Sequence, residues 1–143
     1  MTDPAFEFSA DPLRIDPAWV SRMLAEHAYW AVGRTRETQD AAIAGSRNYG
    51  IYDVTTGEQL AYARVVTDGA TFAWLCDVIV NPQRRGDGIG VALVAGVMAE
   101  LEPLGLKRTL LATGDAHGLY AKFGFTPLQE PEKWMERSGR LAD

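Results

Sequence analysis

Cysteine is nearly missing from this chain: Cys76 stands alone among 143 residues, which excludes an intramolecular disulfide and a Cys-x-x-Cys metal site. Histidine is scarce as well. His27 and His117 lie far apart, and no His, Cys and Asp cluster has ligand spacing, so no metal is expected. No apolar run approaches the ~20 residues that cross a bilayer. The opening Met1-Thr-Asp-Pro-Ala-Phe-Glu carries acid where a secretion signal carries base, and no long apolar stretch follows it. These absences point to a cytoplasmic protein without a membrane partner. Basic residues number 14 against 19 acidic ones, a net charge of −5. A general nucleic-acid binder needs the opposite balance, because neutralising phosphates supplies most non-specific affinity. Most of these carboxylates serve solubility, and an acidic surface also suits a cationic substrate such as a primary amine.

What is present bounds a single domain. Charged residues make up 23% and the apolar set 47%, and 143 residues bury one continuous core but not two. Residues 1–15 read as a tail with a short first strand, and 1–6 and 138–143 as flexible ends. Asp16-Pro17 is a helix start, a capping side chain followed by the residue that loses nothing at the first helical position. Val20, Met23, Leu24, His27, Ala28 and Ala31 follow at helical spacing up to Gly33. Thr35 caps a second helix through Ala44, and Gly45 ends it. Tyr49–Val54, Gln59–Thr67 and Thr71–Val80 form an antiparallel meander with turns at Thr55-Thr-Gly57 and Asp68-Gly69. In the last of these strands Phe72, Trp74, Cys76, Val78 and Val80 share one face. Ala73, Leu75, Asp77 and Ile79 share the other, so the strand is covered on both sides. A helix over Gly88–Glu102 repeats Ile89, Leu93, Val97 and Leu101 every four residues. Arg108–Thr113 is a fifth strand, Asp115 caps a short helix through Phe123, and Phe125–Leu128 with Lys133–Arg137 closes as a hairpin. The order implies an α/β (α+β) domain, a mixed, mostly antiparallel twisted sheet with helices on both faces.

Gln83-Arg-Arg-Gly-Asp-Gly-Ile-Gly90 lies between the covered strand and the long helix. Its glycines allow positive φ and close backbone approach, so successive N–H groups can converge on phosphate oxygens. Arg84 and Arg85 add charge, and the helix N-terminus adds about half a positive charge. The Lys-Ser/Thr ending of a P-loop is missing, and the register is not that of a dinucleotide fold.

The segment Gln83-x-x-Gly-x-Gly88 resembles the acetyl-CoA pyrophosphate motif of the GCN5-related N-acetyltransferase (GNAT) family. Its setting is similar too: an apolar strand before it, an amphipathic helix after it, then a strand and a short helix bearing Tyr120 ahead of Gly124-Phe125. The resemblance covers about residues 47–137. It implies a sheet whose fourth and fifth strands splay apart, with the pantetheine arm of acetyl-CoA pairing at Val78, Ile79 and Val80. The diphosphate would then meet Arg85, Gly86, Asp87, Gly88, Ile89 and Gly90. It implies direct transfer of the acetyl group to an amine in a ternary complex, with Tyr120 protonating the departing thiolate. Many relatives carry a cofactor-contacting Asn seven residues before that tyrosine; here the position is Thr113. The residues alone also allow Tyr120 to be an interior aromatic beside Phe123 and Phe125.

The acceptor side is less marked. A lysine-like amine at pH 7 lies ~3 to 4 pK units from its neutral form, about 5 kcal/mol, so a base or a desolvating site is useful. Asp77, the lone charge in a doubly covered strand, is one candidate for base or substrate contact. The competing reading is a structural ion pair with Arg64, which would need a bulge. Tyr29 and Trp30, with Trp74, are candidates for an acceptor pocket. His27 lies on the apolar stripe of the first helix and reads as packed, His117 faces cofactor or solvent, and Cys76 reads as a small core residue. A small-molecule or peptide amine is the expected partner, and a homodimer stays open. The alternatives are a CoA-binding module without turnover and a protein-lysine or N-terminal acetyltransferase.

Overall fold

The computed structural model describes residues 5–139. Of the ends expected to be loose, residues 1–4 and 140–143 lie outside the described residues, and Phe6 belongs to the first strand. Five strands lie in chain order: β1 (Phe6–Ser9), β2 (Arg47–Asp53), β3 (Gln59–Thr67), β4 (Phe72–Val80) and β5 (Arg108–Leu110). Neighbours from β1 to β4 run antiparallel, and β5 runs parallel to β4. The helices are α1 (Pro17–His27), α2 (Arg36–Ala44), α3 (Ile89–Leu101) and α4 (His117–Ala121).

Local signals place most of these. Asp16 accepts a hydrogen bond from Trp19 N at 3.2 Å, with Pro17 opening α1, and Thr35 accepts from Thr38 N at 3.1 Å to open α2. The expected extension of α1 to Gly33 does not form. Ala28 is extended (φ −112°, ψ 110°), and the chain continues as a tight turn over Tyr29–Ala31. Ala28 and Ala31 are buried as their spacing suggested, but on separate pieces of chain.

Two apolar clusters sandwich the sheet. Ile89, Leu93, Val94, Val97 and Leu101 of α3 pack with Tyr120 onto Tyr49, Ile51, Ala63, Val65 and Leu75. On the other face Val20 and Leu24 of α1 pack with Tyr62 and Ile79. Helices on both faces of a mixed sheet thus match the expected class.

Strand β4 departs from simple alternation. Tyr62 pairs with Ile79 and Arg64 with Cys76, so Ala63 alone opposes both Asp77 and Val78. Asp77 takes φ +52°, a conformation Asp tolerates better than most residues. This bulge corrects the expected faces. Ala73 and Leu75 before it, and Val78 and Val80 after it, all turn toward α3, while Asp77 and Ile79 turn toward α1 and α2. Pairing with β5 is confined to Phe72–Trp74, just before the bulge, and a bulge bends its strand. The fifth strand therefore stops at Leu110 instead of Thr113.

Two further expectations fail. Thr113, not Asp115, prepares α4: its Oγ1 accepts from Ala116 N at 3.0 Å. The helix ends where Gly124 takes φ +88°, which lets Tyr120 O accept from both Phe123 N and Phe125 N. The closing hairpin is absent among the described residues. Pro127 and Pro131 remove ladder donors, Pro131–Lys133 forms a single tight turn, and Trp134 lies 5.2 Å from the Arg108 guanidinium.

Candidate active site

Past Trp74 the edge of β4 that faces β5 pairs with no strand among the described residues, and beside it lies a cleft of about 460 Å³. Val78, Ile79 and Val80 form its floor, and Leu119 and Tyr120 of α4 form the opposite wall. Arg85, Gly86, Gly88, Ile89 and Gly90 close one end, and Tyr29 and Trp30 stand at the other.

The loop end is shaped by a staple. Arg84 Nε donates to Asp87 at 2.9 Å, and Arg84 also lies 3.6 Å from Asp53. The Asp87 side chain is therefore committed to the loop's own structure, and Asp87 is not among the residues lining the cleft. Gly86 and Gly88 hold φ +91° and +80°, and nothing lies within 4 Å of where a Cβ would stand. Backbone conformation, not crowding, is what demands glycine there. Gly88 provides no side-chain cap for α3, and the first helical bond runs from Ala92 N to Gly88 O. The N–H groups of Ile89, Gly90 and Val91 thus have no partner inside the helix and open onto the cleft. An anion with several acceptor oxygens fits this set of donors.

Tyr120 is buried to 7% exposure, edge-on to Phe125 with ring centroids 6.0 Å apart. Burial pushes its phenol up to about 12, with the Asp115 charge and Tyr29 adding to the effect. It stays protonated at neutral pH and can donate to an anion formed in the cleft. Thr113 is not on the cleft wall; its hydroxyl is spent on the start of α4.

On the other side of β4 the Asp77 carboxylate is fully occupied. Oδ1 accepts from Trp30 Nε1 at 3.0 Å, and Oδ2 accepts from Arg34 Nη1 at 2.8 Å and Arg64 Nε at 2.9 Å. Arg34 also donates to Gln39 Oε1 at 2.9 Å, and Arg64 to Ser46 Oγ at 3.2 Å. Burial alone would raise the Asp77 carboxyl, but Arg64 and Arg34 overcome it and hold the group below the usual carboxylate range. A carboxylate so held is a poor proton acceptor and a good anchor, so the expectation of a base gives way to the ion-pair reading. Arg34 was not singled out by sequence; an Arg after a glycine turn carries no signal of the bulge it will meet.

Trp30 leans on this anchor and against Tyr29, edge-on at 5.1 Å. Tyr29 Oη accepts from Gly114 N at 2.9 Å, tying the turn after α1 to the loop before α4 across the cleft mouth. A Cβ on Gly114 would stand 2.7 Å from that oxygen. His27 is not packed as expected; it is exposed and lines the cleft, while His117 is exposed outside it. Cys76 is half-buried, its thiol pushed up to about 11 by burial, which keeps it from acting as a nucleophilic thiolate. Trp74 is part-exposed and not on the cleft wall. Among the described residues no group of His, Cys, Asp and Glu is placed to hold a metal, and no helix is long and apolar enough to cross a membrane.

Comparison with known proteins agrees with this geometry. The sequence model of the acetyltransferase (GNAT) family matches residues 15–125. The chain belongs to that family. A crystal structure from Xanthomonas campestris pv. campestris, described as a GNAT-family acetyltransferase, is 42% identical with a TM-score of 0.88. The match covers 95% of this chain and 94% of that one. A Mycobacterium tuberculosis protein solved with CoA shares the fold at 18% identity and TM-score 0.70, over 86% of this chain and 73% of that chain. A Gibberella zeae protein described as an acetyltransferase is 33% identical over 72 residues; that stretch is half of this GNAT chain and 41% of the fungal protein.

Proposed function

We propose that this chain transfers an acetyl group from acetyl-CoA to a primary amine, by direct attack while both substrates are bound. The observation that carries the reading is one cleft in which uncapped α3 donors and a buried, protonated phenol face the unpaired edge of β4. Acetyl-CoA supplies the activated thioester.

The protein's own part divides along the cleft. Main-chain N–H groups of Gly88, Ile89 and Gly90 bind the diphosphate, with Arg85 adding charge and Gly86 shaping the loop. The free edge at Val78, Ile79 and Val80 pairs with the amide-bearing arm and presents N–H donors to the carbonyl oxygen as charge develops on it. Tyr120 donates its proton to the departing sulfur; a phenol kept neutral by burial is always in the right state to do so. Tyr29 and Trp30 flank the entry on the acceptor side, with Asp77 holding Trp30 in place from behind. Alignment of the two substrates supplies much of the acceleration.

Calorimetry with coenzyme A tests the binding half, and release of CoA thiol from acetyl-CoA with a panel of primary amines tests the transfer half. Binding and amine-dependent release are expected. No heat and no change in melting temperature would remove the reading altogether. Tight binding with silence across small amines, peptides and proteins would leave a CoA-binding module, and release with peptides alone would make the acceptor a protein lysine or N-terminus.

A further inference from the structure

We infer that His27 is the general base that takes the proton from the incoming ammonium in this cleft. The inference rests on the amine-acetylation reading above and assigns a group that reading leaves open. Its starting point is elimination among side chains that line the cleft. Arg84 and Arg85 are permanently cationic and hold no lone pair for a proton. Tyr29 Oη already accepts a hydrogen bond from Gly114 N. Tyr120 carries its proton at neutral pH and is needed as a donor. Asp77 lies behind Trp30 with both oxygens engaged. Asp115 is an exposed carboxylate whose charge suits it to attract the ammonium into the cleft. His27 remains. Histidine is the side chain whose ordinary titration falls between pH 5 and 8, where a base for this task is most effective.

Position agrees with chemistry. His27 closes α1, where the helix carbonyl ends favour a positive charge, and the chain breaks from the helix at Ala28 directly after it. His27 lines the cleft together with Tyr29 and Trp30, the residues that follow this break. Glu26 Oε2 lies 3.5 Å from Nε2, an acid beside a ring that gains charge when it works. The charged and titratable groups around it are Glu26 beside it on its own helix and Arg84, Arg85, Asp115, Tyr29 and Tyr120, which line the same cleft.

The step balances without another reactant. His27 takes one proton from the ammonium, and the freed lone pair forms the C–N bond as the C–S bond breaks. Tyr120 gives its proton to sulfur and regains one from the nitrogen that has become an amide, while His27 returns its proton to solvent. The net products are amide, thiol and one proton.

The test uses the full chain, with acetyl-CoA and spermidine, tyramine or lysine as acceptors, for parent, His27→Gln and His27→Ala. Loss of about 100-fold in kcat/KM at pH 7 is expected, shrinking toward pH 10, where free amine is plentiful. Partial rescue of His27→Ala by added imidazole is expected too. Coenzyme A affinity by calorimetry and the melting temperature should match the parent, which separates loss of a base from loss of fold. Variants that keep the parent's rate and pH profile within about twofold would overturn the assignment while leaving the acetyltransferase reading intact. A parent that releases no thiol with any amine would overturn both.

Discussion

On the α1 and α2 side of β4, polar groups are closed upon one another: Asp77 is held by Trp30, Arg34 and Arg64, and Asp16 and Thr35 cap their helices. Among the described residues Gln39 Nε2 and Tyr52 Oη are the exceptions, buried without a partner. On the α3 side the opposite holds. The helix begins at a glycine with no capping side chain, and among the described residues the β4 edge beyond Trp74 has no neighbouring strand. The difference shows how one strand serves two purposes. A saturated polar network resists change and fixes position, whereas unsaturated main-chain groups are an invitation to a ligand that can saturate them. The open side of this GNAT chain is marked by main-chain donors left over, with Arg85 beside them.

Substitutions on the two sides should therefore fail in different ways. Asp77→Ala strands two partly buried guanidinium groups and should cost about 2 to 4 kcal/mol of stability, read as a lowered denaturation midpoint. Were Asp77 instead a working base, Asp77→Asn would leave stability alone and abolish turnover. Tyr120→Phe keeps the ring's packing and should lower turnover at least about tenfold, with coenzyme A affinity nearly unchanged in calorimetry. Equal turnover would remove Tyr120 from the chemistry. Gly88→Ala forces a side chain into a left-handed conformation, costing about 1 to 2 kcal/mol, and coenzyme A affinity should fall about fivefold or more.

The effect of pH separates the sides again. Asp77 is depressed in the folded protein, so its contribution is present above the unfolded carboxylate range and drains away as pH falls through the folded value. Acid unfolding below about pH 4 should be blunted in Asp77→Asn, seen by circular dichroism. Tyr120 is raised to about 12, so its contribution holds below about pH 10 and is lost as pH climbs through the folded value. The rate should show no alkaline decline from this phenol below about pH 10.

Much of the ligand side was legible in sequence because glycines and a helix N-terminus are local signals. Gly86, Gly88 and the repeat Ile89, Leu93, Val97 and Leu101 describe their own geometry, and the structure buries all four of these apolar residues. The acceptor side was not legible, because its meaning depends on register. Alternation along β4 assigns Val78 to the wrong face unless the bulge is known, and a bulge leaves no mark where the extra residue is an Asp or a Val. Asp87 and Thr113 show a related gap: each is of a type that can contact a ligand, and nothing in the sequence signals that each side chain also bonds within its own loop. His27 stands at helical spacing from Met23 and Leu24 yet is exposed, because it is the last residue of α1 and no further turn of helix covers it.

The surplus residue opposite Ala63 makes the count of amino acids in β4 matter as much as their identity. Deleting Asp77 would restore even alternation with Val78 and Val80 still facing α3, straighten the strand beside β5 and remove the carboxylate that holds Trp30, Arg34 and Arg64. Point exchanges at Cys76 or Ile79 would be absorbed by repacking; a change of length there would not. A scan of single-residue deletions should find this short stretch the least forgiving in the sheet, more so than β2 or the outer end of β3.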